Sequence, residues 1–98
     1  MRWIWDPEKN RINRRDHKVS FEIAELVFAD PLAITLRDPY PDEERWRTIG
    51  TPGMCRDVVL LVVHTWPEED ETGEEVGRII SARKATRRER RAYEEGTF

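Results

Sequence analysis

Basic side chains are the residues of this sequence whose type and spacing are best suited to chemistry. Between positions 83 and 91, six of the nine residues are lysine or arginine, and Glu89 is the only acid. The pattern over residues 78–95 predicts a buried strand that leads directly into a short, very basic helix. A cationic cluster at the end of a sheet strand is suited to holding a polyanion. These residues therefore predict a site for nucleic acid or phosphate.

A second set of candidates lies on the preceding strands. Arg45 and Arg47 fall on one side of an alternating segment, and His64 ends an apolar one. Phosphodiester cleavage needs cations to neutralise a phosphorane-like transition state, and it needs a base and an acid to move protons. His64 is the one strand residue here that titrates near neutral pH, and Glu44 and Glu89 are weaker candidates for proton transfer. If the strand ends converge, these residues could form one catalytic patch.

Structural roles compete with this interpretation. The last helix could be a solvated surface stabilised by pairs of opposite charge four residues apart, such as Arg91 and Glu95. His64 could be a hydrogen-bonded histidine at a strand end, and Arg83 could pair with a carboxylate for structural reasons alone. The residues by themselves therefore favour binding of RNA or DNA and leave catalysis open.

Other classes of site have little support in the sequence. The two histidines, His17 and His64, are far apart and show no metal-binding spacing, so neither a metal nor a cofactor is predicted. A glycine-rich phosphate loop and a nucleophile elbow are both absent. Cys55 is the only cysteine, which excludes a disulfide framework and makes the cytoplasm the simplest compartment. No membrane segment is predicted, because a span needs roughly 20 apolar residues.

Charge is distributed unevenly along the chain. The formal net charge is −3, yet positions 66–75 carry six acids and no base. Removing those six acids from the net charge of −3 leaves +3, so a mildly basic domain carries one acidic segment. We expect a single domain over residues 1–98, with residues 67–75 as an acidic loop insertion.

The order of the elements predicts an α+β fold. Asp6 and Pro7 should begin a basic helix in which Ile12 is the only aliphatic residue, and Ser20 should begin a second, amphipathic helix. Thr86 opens a capping box for the C-terminal helix, and Gly96 should end it. Strands are predicted over residues 2–5, 33–37, 44–50, 58–65 and 76–83, and the last three should form a small antiparallel meander.

Two long motifs resemble the BrnT family. The first comprises Trp5-Asp6-Pro7-Glu8-Lys9-Asn10, His17-Lys18-Val19-Ser20-Phe21-Glu22 and Val27-Phe28-Ala29-Asp30-Pro31. The second is Arg78-Ile79-Ile80-Ser81-Ala82-Arg83-Lys84-Ala85-Thr86-Arg87-Arg88-Glu89-Arg90-Arg91-Ala92-Tyr93-Glu94. The chain departs from the family pattern at Lys18, where glycine is usual, and in its long acidic segment. If that segment folded over the basic patch, it could block RNA.

The resemblance implies a RelE-like fold with two N-terminal helices, a small antiparallel sheet and a short basic C-terminal helix. It implies a metal-independent endoribonuclease toxin of a type II toxin–antitoxin module, which inhibits translation in the cytoplasm. Its partner would be a BrnA-like antitoxin with a ribbon-helix-helix segment, and operator DNA would be bound only through that antitoxin in a hetero-oligomer. The alternative is a non-catalytic module or corepressor that docks such a DNA-binding protein.

Roles for individual residues follow from combining the basic pattern with the resemblance. The predicted catalytic residues are Arg45, His64, Arg83 and Glu89. The predicted RNA-binding residues are Arg47, Lys84, Arg87 and Arg91. The predicted antitoxin-binding residues, on the first helix, are Lys9, Arg14 and Arg15.

Overall fold

A computed structural model describes residues 1–53 and 57–98; Cys55 lies outside these ranges. The fold is α+β, with three α-helices and one mixed sheet of six strands. In chain order the elements are β1 (Arg2–Ile4), α1 (Pro7–His17), α2 (Phe21–Ala24), a 3-10 helix (Glu25–Ala29), β2 (Ile34–Asp38), β3 (Arg45–Gly50), β4 (Leu60–His64), β5 (Glu68–Glu69), β6 (Glu75–Lys84) and α3 (Arg87–Glu95).

The sheet has the strand order β1-β6-β4-β3-β2, and β5 also pairs with β6. The strands β2, β3, β4 and β6 pair antiparallel, as the predicted meander requires. The prediction of a wholly antiparallel sheet is wrong, because β1 pairs parallel with β6. The two strands are more than 70 positions apart, so no turn signal in the sequence could report their direction.

Helix α1 is attached to the domain through hydrogen bonds of two buried asparagines. The side chain of Asn13 donates to the carbonyl oxygens of Val19 and Ala82 and accepts from the Ala82 N–H, at 2.7–3.2 Å. Asn10 accepts from the N–H of Phe21 at 2.9 Å. Ile12, the only aliphatic residue of this helix, is 37% exposed. The helix therefore satisfies backbone groups at the edge of β6 and leaves its basic side chains in solvent.

The turn after α1 keeps a left-handed residue even though glycine is absent. Lys18 has φ 60° and ψ 25°, and its N–H donates to the carbonyl of Arg14 at 3.1 Å. A side chain in this region costs about 1–2 kcal/mol, and glycine loses about 0.5–1 kcal/mol more backbone entropy on folding. We therefore expect Lys18→Gly to raise the free energy of unfolding by a net of about 0.5–1 kcal/mol. Urea unfolding of both proteins measures this difference. A lower midpoint for the variant would mean that Lys18 is not strained here.

The second helix is shorter than the sequence indicated. Its cap is Ser20, as predicted, but the α-helical part covers Phe21–Ala24 and continues as the 3-10 helix Glu25–Ala29. These turns lie on one face of the sheet and form the main core there. That core consists of Trp3, Val19, Phe21, Ala24, Val27, Leu60, Val62, Ile79 and Ala82.

Helix α3 covers part of the opposite face of the sheet. The capping box of Thr86 and Glu89 and the left-handed Gly96 are both present, as predicted. Tyr93 packs near Ile49 and Leu61, and its hydroxyl donates to Asp30 at 2.5 Å. The helix therefore docks across only one end of this face. Among the described residues, no helix has the length and apolarity to cross a membrane.

The acidic segment is an ordered β-hairpin. Glu68 and Glu69 form β5 and pair with Val76 and Glu75 of β6. At its tip Asp70 and Glu74 approach Arg2 of β1, with N···O distances of 3.7 and 2.9 Å. The hairpin is thus tied to the β1 edge of the sheet.

Candidate active site

Three arginines share the sheet face on which α3 lies. Arg45, Arg47 and Ile49 are spaced two positions apart along β3, so their side chains project to the same face. Ile49 belongs to the apolar cluster under α3. Ile49 is paired with Leu61 of β4, and Leu61 is paired in turn with Arg83 of β6. Because cross-strand partners project to the same face, Arg83 lies on the face of Arg45 and Arg47.

A β-bulge brings a fourth arginine to this face. Arg78 and Arg83 are five positions apart, which in a regular strand would place them on opposite faces. The register shifts by one residue between the pairs Val63↔Ser81 and His64↔Ile79, so the alternation is reset. Gly77 lies against the ring of Trp3 in the main core, which directs its neighbour Arg78 to the other face. We call the surface formed by Arg45, Arg47, Arg78 and Arg83 the arginine face.

At one end of the arginine face, two guanidinium groups share one carboxylate. Glu43 accepts from Arg45 Nε at 2.9 Å through Oε1 and from Arg78 at 2.8 Å through Oε2. These bonds, that from Arg45 first, lower the pKa of Glu43 below its ordinary value. The guanidinium carbon of Arg45 also lies 3.8 Å from the ring centre of Tyr40. With Lys9, these groups border an open cavity of about 360 Å³.

Arg47 lies in the middle of the arginine face with unused hydrogen-bonding capacity. Its Nε is 3.6 Å from Asp38, beyond a normal hydrogen bond. Within the described ranges, the buried Nε atoms of Arg47 and Arg78 have no hydrogen-bond partner. Because these Nε atoms are shielded from solvent, a phosphate would be bound by the terminal nitrogens of the two guanidinium groups.

Arg83 is held at the other end by Glu89 of α3. Two parallel bonds of 2.8 and 3.0 Å join the guanidinium to the carboxylate, which also accepts from the N–H of Thr86. The bond from Arg83 is the main cause that lowers the pKa of Glu89 to about 2. Glu89 therefore stays ionised at any working pH and fixes the position of Arg83, and it is poorly suited to donate a proton.

The Arg83–Glu89 pair should make the fold sensitive to acid. The pKa of Glu89 is depressed on folding, so its stabilisation is complete above the unfolded pKa and is lost as the pH falls towards 2. Arg83 is 38% exposed, and after allowance for solvent screening we expect the pair to contribute about 1–2 kcal/mol. Denaturant unfolding should therefore show Glu89→Gln less stable than the parent at pH 7, with the difference shrinking by pH 3. Glu95→Gln on the exposed side of α3 is the control, and an equal loss at both pH values would contradict the assignment.

His64 lies on the opposite face of the sheet. It is 3% exposed, and its ring packs edge-on against Trp3 and Phe28. Nδ1 bonds the carbonyl of Thr65 at 2.8 Å and therefore carries the proton, so Nε2 accepts from the Thr48 hydroxyl at 2.6 Å. Burial lowers its pKa and keeps the ring neutral. The structure does not bring His64 to the arginine face.

The remaining predicted residues lie around this face and beyond it. Arg87 and Arg91 are exposed on α3, whose capping residue Glu89 holds Arg83. Lys84 and Arg14 instead border a groove of about 540 Å³ beside the start of β4. Lys9 borders the cavity at Arg45, as described above, and Arg15 is exposed on α1 in an ion pair with Asp16 at 2.9 Å. The predicted cations are therefore divided between at least two surfaces.

Sequence reasoning did not single out Glu43 or Tyr40, and it counted Arg78 among the cations near the last strand without giving it an individual role. Glu43 and Tyr40 belong to the loop before β3, where no periodic pattern indicates direction. The spacing Glu43-x-Arg45 is the available signal, because residues two apart can reach the same side. Within residues 1–53 and 57–98, no group of three or more His, Cys, Asp or Glu side chains is arranged to hold a metal ion.

Comparison with known proteins connects this geometry to a family. The model of the family described as "Ribonuclease toxin, BrnT, of type II toxin-antitoxin system" matches residues 5–89, and no curated protein matches the chain. The fold is similar to the crystal structure of the Brucella abortus ribonuclease toxin, BrnT, with a TM-score of 0.58 and 22% identity over 89% of this chain and 99% of that one. The chain belongs to the BrnT family of ribonuclease toxins of type II toxin–antitoxin systems.

Proposed function

We propose that the protein is a metal-independent endoribonuclease that binds single-stranded RNA along the arginine face and inhibits translation in the cytoplasm. The observation that carries the proposal is the placement of Arg45, Arg47, Arg78 and Arg83 on one side of one sheet. Cations in a fixed array can neutralise the charge that develops on a phosphorane-like transition state. RelE-type toxins, which the resemblance suggests, likewise depend on basic side chains.

The length of the arginine face favours several phosphates over one. Arg78 and Arg83 are five residues apart on β6, which at the rise of a strand corresponds to roughly 16 Å. Two side chains so far apart are suited to different phosphates of the same strand. Arg87 and Arg91, exposed on α3 beyond Arg83, would extend the track, and Lys84 remains a candidate contact at its margin.

The partner in this proposal is a BrnA-like antitoxin with a ribbon-helix-helix segment, and the complex is a hetero-oligomer that reaches operator DNA through the antitoxin. Lys9, Arg14 and Arg15 of α1 are its proposed contacts. All three are exposed, and Arg14 borders the groove whose floor is formed by Val19, Ile23 and Leu60. A cationic rim over an apolar floor suits a peptide that carries both acidic and apolar side chains.

Cleavage of RNA by the purified protein in a chelator tests the central claim. We expect single-stranded RNA to be cut at the same rate with and without excess EDTA, and to yield 2′,3′-cyclic phosphate ends. Affinity for uncleaved RNA should fall steeply with salt, because each phosphate contact releases counterions. Loss of cleavage in EDTA with recovery on adding magnesium would contradict metal independence. Arrest of protein synthesis within minutes of induced expression tests the cellular role.

The second candidate is a binding module without catalysis, which would act as a corepressor. Its support is that Arg45, Arg78 and Arg83 are already bound by the carboxylates of Glu43 and Glu89. A protein whose arginines are neutralised internally needs no RNA. This candidate predicts no cleavage by the partner-free protein and no growth arrest, together with tight binding of the antitoxin.

A further inference from the structure

We propose that Glu43 is the general base of RNA cleavage and takes the proton from the attacking 2′-hydroxyl, while Arg45 and Arg78 bind the phosphate at which that hydroxyl attacks. This inference rests on the proposed ribonuclease function. It assigns the proton acceptor to a residue of the loop before β3 and locates the scissile phosphate at the Arg45 end of the arginine face.

The carboxylate of Glu43 is held firmly and is still accessible. Each of its oxygens accepts one bond, from Arg45 at 2.9 Å or from Arg78 at 2.8 Å. An ionised carboxylate has about four acceptor positions, so an open position remains on each oxygen. The side chain of Glu43 is 37% exposed and borders the cavity of about 360 Å³ beside Tyr40 and Lys9. A nucleotide can therefore approach a base whose orientation is fixed by its partners.

The other ionisable groups of the arginine face are less suited to this role. Both oxygens of Glu89 accept from Arg83, one of them also accepts from Thr86, and the side chain is only 18% exposed. The side chain of Asp38 is likewise only 18% exposed, and it approaches Arg47. His64 is on the opposite face of the sheet with both nitrogens bonded. Among these described groups, Glu43 combines free acceptor positions with direct contact to two arginines.

The reaction step balances without a metal or other cofactor. Glu43 removes the proton of the 2′-hydroxyl, the 2′-oxygen forms a bond to phosphorus, and the bond from phosphorus to the 5′-oxygen breaks. The leaving 5′-oxygen takes a proton from water, and the proton held by Glu43 returns to solvent. The products are a 2′,3′-cyclic phosphate and a 5′-hydroxyl. Arg45 and Arg78 donate to the non-bridging oxygens, where charge accumulates in the transition state.

The arginines that hold Glu43 also set the pH range in which it works. They lower the pKa of Glu43, so the base is ionised throughout the neutral range. Lower basicity weakens proton abstraction somewhat, and the same two cations offset this by stabilising the phosphorane. The acid limb of the pH profile should therefore lie below the usual range of a glutamate.

Glu43→Gln is the decisive variant, because it keeps the size of the side chain and removes its basicity. We expect kcat to fall by about 10²–10⁴-fold with little change in KM. Glu71→Gln, which removes the same charge at the exposed hairpin tip, should cleave like the parent. Far-ultraviolet circular dichroism and thermal unfolding establish that each variant is folded. A kcat for Glu43→Gln within threefold of the parent, or a loss confined to Glu44→Gln, would overturn the proposal.

A rescue experiment separates a base from a residue that only positions the arginines. In Glu43→Ala, formate and acetate can enter the vacated space. Rescue by a base should be stronger with acetate than with formate, because acetate is the stronger base. Equal rescue by both anions would assign Glu43 a positioning role and overturn the proposal. If the parent protein cuts no RNA, the proposed function fails as well; if it cuts RNA and only the Glu43 results are negative, this inference alone fails.

Discussion

Replacing Arg45 or Arg78 with alanine is expected to lower kcat/KM for RNA cleavage by about 10²–10³-fold. Both guanidinium groups contact Glu43 and border the cavity where we place the scissile phosphate. Removing one preorganised donor from a developing anion typically costs this much. Their ion pairs with Glu43 are only partly buried, so the free energy of unfolding should change by no more than about 1 kcal/mol.

Arg47→Ala and Arg83→Ala should have a different effect. These side chains lie farther along the arginine face, where they would bind neighbouring phosphates. We expect each variant to weaken RNA binding about tenfold, and to reduce the slope of log Kobs against log salt by about 0.7, the value for one phosphate contact on a single strand. Filter binding of an uncleavable RNA over a range of salt concentrations measures this slope.

Arg11→Ala is the matched control for both pairs. Arg11 is exposed on α1 and bonded to Glu8, so its removal changes net charge equally without touching the arginine face. Arg78→Lys adds a second comparison, because lysine keeps the charge and loses the planar fork. Equal losses of RNA binding and cleavage in the alanine variants of all four arginines of the arginine face and of Arg11 would indicate a general charge effect. That outcome would exclude a localised site.

Local signals in the sequence were sufficient for the starts of the helices and for part of the candidate site. Asp6 with Pro7 and Thr86 with Glu89 act through neighbours within one turn, and the structure contains both caps. The alternation of β3 placed Arg45 and Arg47 on one side for the same reason. These features depend on contacts between residues close in sequence, so composition and spacing determine them.

Other features depend on partners that are distant in sequence. One extra residue on β6, Ile80, lies opposite the step from Val63 to His64 and places Arg78 on the face of Arg83, whereas regular alternation predicts the opposite face. The face that His64 occupies follows from its pairing with Trp46, which strand propensity does not specify. Asn13 reads as a polar surface residue until Ala82, 69 positions away, supplies its partners. Register and edge contacts of this kind arise only when the chain is assembled.

Gly77→Ala is expected to lower the free energy of unfolding by about 2–3 kcal/mol. A Cβ atom at Gly77 would lie 2.4 Å from Cζ3 of Trp3 and within 2.9 Å of two other atoms of the same ring. The ring is stacked on Phe28 at 3.9 Å and touches His64 edge-on, so it cannot move aside without disturbing the main core. Overpacking of a dense core typically costs 1–3 kcal/mol.

A double-mutant cycle tests whether the clash with Trp3 is the cause. In a Trp3→Leu background the smaller side chain leaves room for the added methyl group, so Gly77→Ala should cost less than about 1 kcal/mol there. Urea unfolding of the four proteins gives the coupling energy directly. An unchanged cost in both backgrounds would show that glycine is required by the backbone of β6 and not by the ring. Because Trp3 secures β1 beside Gly77, and Arg78 follows immediately, this packing also maintains the direction in which Arg78 reaches the arginine face.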